Sequence, residues 1–304
     1  MFNVSNLAYQ IGWVLVKRLQ AKLSRKLFNF IADYSYKKDI KGVQLLRANL
    51  RFVLDLSKDS LELETIVKAG MRSYLRYWEE VFRLSNWQKI DIDNVIKVKG
   101  LENLTKAQTS DLTVVTATAH MGNWDACGFW YTSKYGEITT VAERLEPESV
   151  YKKFVEFRNS FGIEVIPTKG QTDIFMKLIR RSKEKRMIAL VADRDITKNG
   201  IEVNFGKGQA KFPVGPAALA ITTKGLVLPL VSWYDTDNKL VMEFFEPIAP
   251  KIDLSNEENI KQITQSLADI FMDTIKDHPQ DWHMLQNVWT EVYPEIRLNQ
   301  ELVN

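Results

Sequence analysis

The sequence is poor in the residues that build disulfides and metal sites. Its 304 residues include one cysteine, Cys127, and three histidines, His120, His278 and His283. A single thiol excludes an intramolecular disulfide framework and any multi-cysteine metal site, which fits a reducing compartment. No second histidine lies within ligand spacing of His120, so we expect no metal and no bound cofactor.

The chain also lacks a long apolar run. A membrane span needs about 20 consecutive apolar residues, and polar residues interrupt the uncharged stretch 1–16 at Asn3, Ser5, Asn6 and Gln10. In this stretch the basic residues follow the apolar ones, and no small-residue cleavage site is present, which is not typical of a signal peptide. We therefore expect a protein that stays in the cytoplasm.

Charge is distributed unevenly. Residues 1–60 carry eleven Lys and Arg against four Asp, a net +7, whereas the whole chain is only +3. A basic N-terminal region predicts an anionic partner, either a membrane surface or a nucleic acid. Apolar residues recur at helical spacing from Leu7 to Leu19, with cations at Lys17 and Lys22. This pattern suits an amphipathic helix in a membrane interface, and it equally suits a helix packed on its own protein.

The spacing of apolar residues changes near residue 94. Before it, helical periodicity predicts helices at about 23–34, 40–55 and 61–83. After it, strand-like runs such as LTVVTAT (112–118) and MIALVA (187–192) alternate with helical segments. This alternation predicts an α/β fold, with a central, mostly parallel sheet flanked by helices and an α-helical N-terminal region.

The chain shows neither an internal repeat nor a long linker. The simplest division is therefore one domain over residues 1–304. We expect a helical, membrane-associating region at 1–90 and an α/β catalytic core at 91–304. We expect the chain to act as a monomer.

One histidine lies where a predicted strand meets a predicted helix. The run LTVVTAT leads into His120, and NWDACGFWYT then begins the helix. In an open α/β sheet, reactive residues gather at such strand ends. Gly122 permits a tight turn, so the Asp125 carboxylate can reach imidazole Nδ1 and leave Nε2 as a general base. The alternatives are a buried histidine beside a helix-start acid, and Cys127 as a nucleophile.

The segment HMGNWD, from His120 to Asp125, resembles the H-x4-D motif of glycerolipid acyltransferases. Its longer form, H-x-G-N-W-(D/E), is similar to the branch that contains the lipid A biosynthesis acyltransferases and the phosphatidylinositol mannoside acyltransferases. Further blocks resemble that family in the expected order, at 47–54, 141–167, 190–220 and 278–289. The segments GNWDACG, ERLEPE and ADRDIT look closer to the mannoside enzymes.

The resemblance implies an activity and its partners. It implies transfer of a fatty acyl chain, palmitoyl, from acyl-CoA to a mannose hydroxyl of a phosphatidylinositol mannoside. Acyl-CoA is then a co-substrate, and the partners are the membrane glycolipid and an anionic membrane surface at the cytoplasmic face of the plasma membrane, with no nucleic acid. Two alternatives remain: a lipid A acyltransferase that uses acyl carrier protein, and a non-catalytic protein that binds anionic lipid.

The resemblance also assigns roles to residues. His120 is the general base and Asp125 its orienter, while Asp193 orients the histidine or the acceptor. Arg158 and Arg194 pair with a phosphate or with the oxyanion. The other predicted substrate-binding residues are Gly122, Asn123, Glu143, Arg144 and Asp195. For the charged members of this set the alternative is an ordinary surface ion pair.

Overall fold

The computed structural model describes residues 16, 18–84, 89–144, 148–168, 170, 173–196 and 199–289. The predicted amphipathic helix at the N-terminus falls almost entirely outside these residues. The described helices are α1 (Ala21–Lys37), α2 (Lys41–Leu54), α3 (Leu61–Leu84), α4 (Lys89–Val95), α5 (Leu101–Thr109), α6 (Trp124–Lys134), α7 (Glu148–Asn159), α8 (Ile174–Lys183), α9 (Gly215–Thr223) and α10 (Asn256–Asp277). The strands are β1 (Ile96–Lys99), β2 (Val114–Thr118), β3 (Ile138–Ala142), β4 (Ile163–Pro167), β5 (Met187–Val191), β6 (Ile201–Phe205), β7 (Gly208–Phe212), β8 (Leu226–Tyr234) and β9 (Leu240–Phe244).

Seven strands form one sheet in the order β1-β9-β8-β2-β5-β3-β4. The pairs are parallel except β8 with β9, which is antiparallel. Parallel neighbours need a long crossover, and helices supply it here, whereas a short turn after Tyr234 lets β9 fold back on β8. The predicted α/β fold with a mostly parallel sheet and a helical N-terminal region is confirmed.

The centre of the sheet is buried on both faces. All nine residues of β8 are buried, as expected for the uninterrupted run LVLPLVSWY. Strand β2 lies between β8 and β5, so its carboxyl end opens near the middle of the sheet. Reactive side chains that follow β2 and β5 are therefore neighbours.

The N-terminal helices pack on one another and on the sheet. The helix predicted at 61–83 is α3, and its apolar residues form core, with Val67, Met71 and Val81 buried. Phe28 of α1 meets Phe82 of α3 edge to face, with the ring centroids 6.2 Å apart. Helix α3 thereby becomes the element that links α1 to the rest of the molecule.

Four elements do not follow from the periodicity. Helices α4 and α5 are short, and strands β6 and β7 form a separate antiparallel hairpin. Each strand of the hairpin has only five residues, in which buried and exposed positions alternate. In β6, for example, Val203 and Phe205 are buried and Asn204 between them is exposed. A pattern that short gives little periodic signal.

The segment after α10 returns to the sheet. A 3₁₀ turn at Pro279–Asp281 is followed by a bridge between Trp282 and Met121. Two histidines far apart in sequence, His120 and His283, are therefore neighbours in space. Among the described residues, no helix is long and apolar enough to cross a membrane.

Candidate active site

His120 lies in a tight turn between β2 and α6. Gly122 in this turn has a φ of 57°, and a Cβ added to it would lie 2.5 Å from the carbonyl oxygen of Ser232. Only glycine fits that combination of conformation and close approach. Asn123 then caps α6 by accepting a hydrogen bond from the backbone N–H of Ala126 (3.0 Å). The turn holds His120 at the carboxyl edge of the sheet.

The imidazole of His120 pairs with Asp193. The Nδ1 to Oδ1 distance is 2.6 Å, and the backbone N–H of His120 donates to Oδ2 at 3.0 Å. The two residues meet because β2 and β5 are parallel neighbours with Thr118 opposite Val191. Asp193 is fully buried, whereas 31% of the His120 side chain is exposed. The histidine thus presents its other face to solvent.

Asp193 is held in its ionised form. Burial alone would raise the pKa of its carboxyl, but the adjacent His120 and the hydrogen bonds from His120 and Trp282 outweigh burial and lower the pKa. An ionised carboxylate only accepts hydrogen bonds, so Nδ1 carries a proton. In the neutral imidazole Nε2 is then the acceptor, as a general base requires.

Asp125 does not contact Nδ1 of His120, and the predicted orienting contact is wrong. Its carboxylate is 4% exposed and accepts from Arg158 through Nε (2.7 Å) and Nη2 (3.0 Å). The hydroxyl of Tyr77 donates to the same carboxylate at 2.7 Å. From the first turn of α6, Asp125 therefore pairs with Tyr77 of α3 and Arg158 of α7. The prediction that Asp193 orients the histidine agrees with the geometry.

The Asp125–Arg158 pair also changes the expectation for the arginine. Burial opposes the charge of Arg158, but Asp125 and Tyr77 raise its pKa above the ordinary value. Burial, with Asp125, raises the pKa of Tyr77 as well. Arg158 therefore stays charged, and Asp125 compensates its charge within the protein. Its role in binding phosphate or the oxyanion stays a prediction.

Two predicted charged residues lie at the same sheet edge as His120. Arg194 follows Asp193, and Glu143 follows β3, the parallel neighbour of β5. Their closest charged atoms are 3.9 Å apart, and their side chains are 20% and 47% exposed. Such a loose, partly exposed pair can open to a charged ligand.

The other predicted charged residues have partners of their own. Arg144 forms an exposed bidentate pair with Glu148 (2.8 and 2.7 Å). Asp195 accepts from the backbone N–H of Gly200 at 2.7 Å, and its own N–H donates to the carbonyl of Lys211. Arg144 thus pairs with the first turn of α7, and Asp195 is hydrogen-bonded to the β6–β7 hairpin. Their predicted contacts with substrate stay predictions.

Gly122 and Asn123 shape the turn and do not line a cleft. Asn123 is fully buried, and its Nδ2 donates to Glu80 at 2.9 Å while its Oδ1 caps α6. The backbone N–H of Gly122 donates to the carbonyl of Asp281 at 2.9 Å. Because protein groups already occupy these atoms, the structure gives Gly122 and Asn123 a role in shaping the turn, and their predicted contacts with substrate stay predictions.

Buried charges on α3 support this turn. Besides Asn123, Oε2 of Glu80 accepts from the Tyr234 hydroxyl (2.6 Å), and its Oε1 accepts from Arg25 and Arg76. Burial would raise the pKa of Glu80, but the two arginines lower it. Sequence periodicity places Glu80 on a core helix and gives no sign of this role.

Residues of the C-terminal segment contact Asp193 and His120. In the sequence, only the family resemblance of residues 278–289 points to this segment. The indole N–H of Trp282 donates to Oδ2 of Asp193 at 3.0 Å. The backbone N–H of His283 donates to the carbonyl of His120 at 2.8 Å. Nothing in residue spacing predicts that this distant segment closes over the His120 turn.

Cys127 is not placed to act as a nucleophile. It is buried in α6, and burial raises the pKa of its thiol to about 12. Within the described part of the chain, no group of three or more His, Cys, Asp or Glu is arranged to hold a metal ion. The arrangement that remains is the His120 imidazole, with the buried carboxylate of Asp193 behind it and Arg194 nearby.

Comparisons with known proteins identify a matching family model and relatives that align with most of this chain. A model of the family described as bacterial lipid A biosynthesis acyltransferase matches residues 4–291. A phosphatidylinositol mannoside acyltransferase of Mycolicibacterium smegmatis is 37% identical over 288 residues, covering 94% of this chain and 92% of the relative. A phosphatidylinositol mannoside acyltransferase of Mycobacterium tuberculosis H37Rv is 38% identical over 295 residues, covering 95% and 90%.

Proposed function

The chain belongs to the bacterial lipid A biosynthesis acyltransferase family and is an acyltransferase, and from that premise we propose that it acylates a phosphatidylinositol mannoside. The proposed reaction moves a fatty acyl chain, palmitoyl, from acyl-CoA to a mannose hydroxyl. The names of the relatives support this acceptor, since they match nearly the whole chain at 37–38% identity. Family membership argues against the non-catalytic alternative.

The observation that carries the mechanism is the partly exposed His120 paired with the buried Asp193. In the proposed step, Nε2 takes the proton from the mannose hydroxyl as its oxygen attacks the thioester carbon. The carbon–sulfur bond breaks, and the imidazolium returns its proton to the departing thiolate. A free thiol has a pKa of about 8.5, so the thiolate is a good leaving group and needs no strong acid. No acyl-enzyme is required.

Asp193 assists by stabilising the imidazolium that forms during attack. Its carboxylate lies 2.6 Å from Nδ1 in a fully buried position, where the low local dielectric strengthens the attraction. Arg194 is the candidate to bind negative charge on the donor or on the oxyanion, because it follows Asp193 and its pairing with Glu143 is loose.

We further propose that α1 rests on the cytoplasmic face of the plasma membrane. Its outer face exposes large apolar side chains at Leu23, Leu27, Phe30, Ile31 and Tyr34. Lysines flank this face at positions 22, 26, 37 and 38. An exposed apolar stripe bordered by cations suits the headgroup boundary of an anionic bilayer. In this proposal a monomer docks and takes both the lipid and acyl-CoA from the cytoplasmic side.

The test is a transfer assay on purified protein with radiolabelled palmitoyl-CoA and phosphatidylinositol mannoside in mixed micelles. We expect turnover by the wild type and loss of about 10²–10⁴-fold in His120→Ala, the range for removing a general base. His278→Ala is the matched control, because His278 stacks on Trp233, with ring centroids 4.5 Å apart, and has no proposed role. Full turnover in His120→Ala would refute the mechanism.

A second acceptor is worth testing because the matching family is described as a lipid A enzyme family. The same assay is run with a Kdo-lipid A precursor and with palmitoyl-acyl carrier protein as donor. Preference for that pair over the mannoside and acyl-CoA would overturn the proposed substrates and leave the roles of His120 and Asp193 in place.

A further inference from the structure

Trp282 contacts Asp193, the buried carboxylate that pairs with the proposed base His120. Its side chain is fully buried, and its indole N–H donates to Oδ2 of Asp193 at 3.0 Å. It therefore cannot touch a substrate, and any effect on the reaction must pass through Asp193. The ring packs edge to face with Phe205, with the centroids 6.0 Å apart.

The donors around Asp193 divide unequally between its two oxygens. Oδ1 faces Nδ1 of His120, and Oδ2 accepts from the backbone N–H of His120 and from Trp282. A carboxylate rotates about its Cβ–Cγ bond unless donors fix its plane. Two donors on Oδ2 keep Oδ1 directed at the imidazole. Two of these three hydrogen bonds come from His120 itself, the residue whose orientation is in question. Only the one from Trp282 comes from another residue.

The position of Trp282 is itself fixed on both sides. The carboxylate of Asp281 accepts from Ser73 Oγ (2.5 Å) and from the backbone N–H of Tyr234 (3.0 Å). On the other side, the backbone N–H of His283 donates to the carbonyl of His120. With its neighbours anchored to α3, β8 and the catalytic turn, the indole N–H has little freedom to move away from Asp193.

We propose that Trp282 is a positioning residue for acyl transfer: its indole N–H holds the Asp193 carboxylate in the orientation that keeps the proton of His120 on Nδ1 and leaves Nε2 unprotonated. This inference rests on the proposed role of His120 as a base. It assigns to the C-terminal segment a part in the chemistry, through a hydrogen bond to Asp193, which follows β5.

The test compares two matched substitutions. Trp282→Phe removes the donor and keeps an aromatic ring. Trp289→Phe is the control, because Trp289 is also buried and also packs on Phe205 (5.3 Å between centroids), yet its indole N–H has no hydrogen-bond partner among the described residues. Both variants lose similar packing, and only one loses a bond to Asp193.

In Trp282→Phe we expect kcat for palmitoyl transfer to fall about 10- to 100-fold, as for loss of a hydrogen bond to a charged group, with KM for both substrates unchanged. Trp289→Phe should keep kcat within about 2-fold of the wild type, since it leaves the charged group untouched. If Trp282→Phe destabilises the fold, benzothienylalanine at position 282 replaces the N–H by sulfur at nearly constant volume. An unchanged kcat in that variant overturns the proposal.

A second readout does not depend on activity. The imidazole ¹⁵N shifts of His120 report which nitrogen carries the proton, and His120→Ala identifies its signals among the three histidines. We expect the Nδ1–H form in the wild type and in Trp289→Phe, and a mixture with the Nε2–H form in Trp282→Phe. An unmixed Nδ1–H form in Trp282→Phe overturns the proposal. If the wild type transfers no palmitate, the proposed function is refuted. The ¹⁵N measurement of the His120 tautomer still tests the role of Trp282 in that case.

Discussion

Replacing either of two buried aspartates by asparagine should have opposite consequences, although the chemical change is the same. Asp193→Asn should abolish transfer and leave the fold nearly as stable as the wild type. Asp125→Asn should cost much of the stability and affect the chemistry only through the fold. The two carboxylates are 0% and 4% exposed, so differences in burial do not explain the contrast. Their partners do.

For Asp125 the cost comes from the arginine that remains. Arg158 is 16% exposed and meets both carboxylate oxygens. Breaking a buried ion pair by removing one charge costs about 3–5 kcal/mol, because the other charge stays buried without compensation. An unfolding entropy of about 2.1 cal/mol/K per residue over 304 residues corresponds to about 1.6 °C per kcal/mol, so the melting temperature should fall by about 5–8 °C. Adding Arg158→Met to Asp125→Asn should recover part of this loss, since no charge is then left unpaired.

In Asp193→Asn the amide changes which nitrogen of His120 carries the proton, and it preserves the packing. The Asn oxygen can accept from the two N–H groups that now reach Oδ2, those of His120 and Trp282. Its NH₂ group then faces Nδ1 of His120, which must become an acceptor and move its proton to Nε2. A base held in the wrong tautomer loses about 10⁴-fold in kcat in comparable carboxylate–histidine systems.

The assay pairs urea unfolding with palmitoyl transfer on the same protein samples. Turnover is measured below the onset of unfolding of each variant, so that lost fold is not counted as lost chemistry. The reasoning is refuted if Asp193→Asn retains kcat, or if Asp125→Asn unfolds like the wild type and loses kcat. The second outcome would return the orienting role to Asp125.

Three further measurements concern side chains away from the Asp193 carboxylate. Because burial raises the pKa of Cys127 to about 12, its thiol should resist modification in the native protein and Cys127→Ala should keep full turnover; loss of turnover would reinstate it as a nucleophile. Burial lowers the pKa of His283 from 6.5 to about 3, so the unfolded chain binds the extra proton, and the free energy of unfolding should fall as pH drops below about 6.5. Urea unfolding across this range should give a shallower fall for His283→Gln, and equal slopes would contradict the assignment. Phe30→Ser should weaken sedimentation with anionic vesicles while Leu112→Ser, exposed elsewhere, should not; equal binding by both would refute docking through α1.

The sequence by itself determined the fold class and the place of His120 in the chain's strand–turn–helix order. Short uninterrupted apolar runs such as that of β8 favour strands buried on both faces, and their alternation with helical segments favours crossover connections and parallel pairing. The same pattern puts His120 at the end of β2, and glycine two residues later marks the turn. These features are local in the chain, so periodicity and residue type suffice to find them.

Only the tertiary structure decided which carboxylate meets the imidazole. Asp125 is five residues from His120 and looks like its partner, yet the first turn of α6 directs it to Arg158, while Asp193 arrives from the neighbouring strand. Trp282 is farther still along the chain and donates to the same carboxylate. Spacing along one element constrains only that element. Partners that come from adjacent strands or from a returning segment are set by sheet order and packing, which no local pattern encodes.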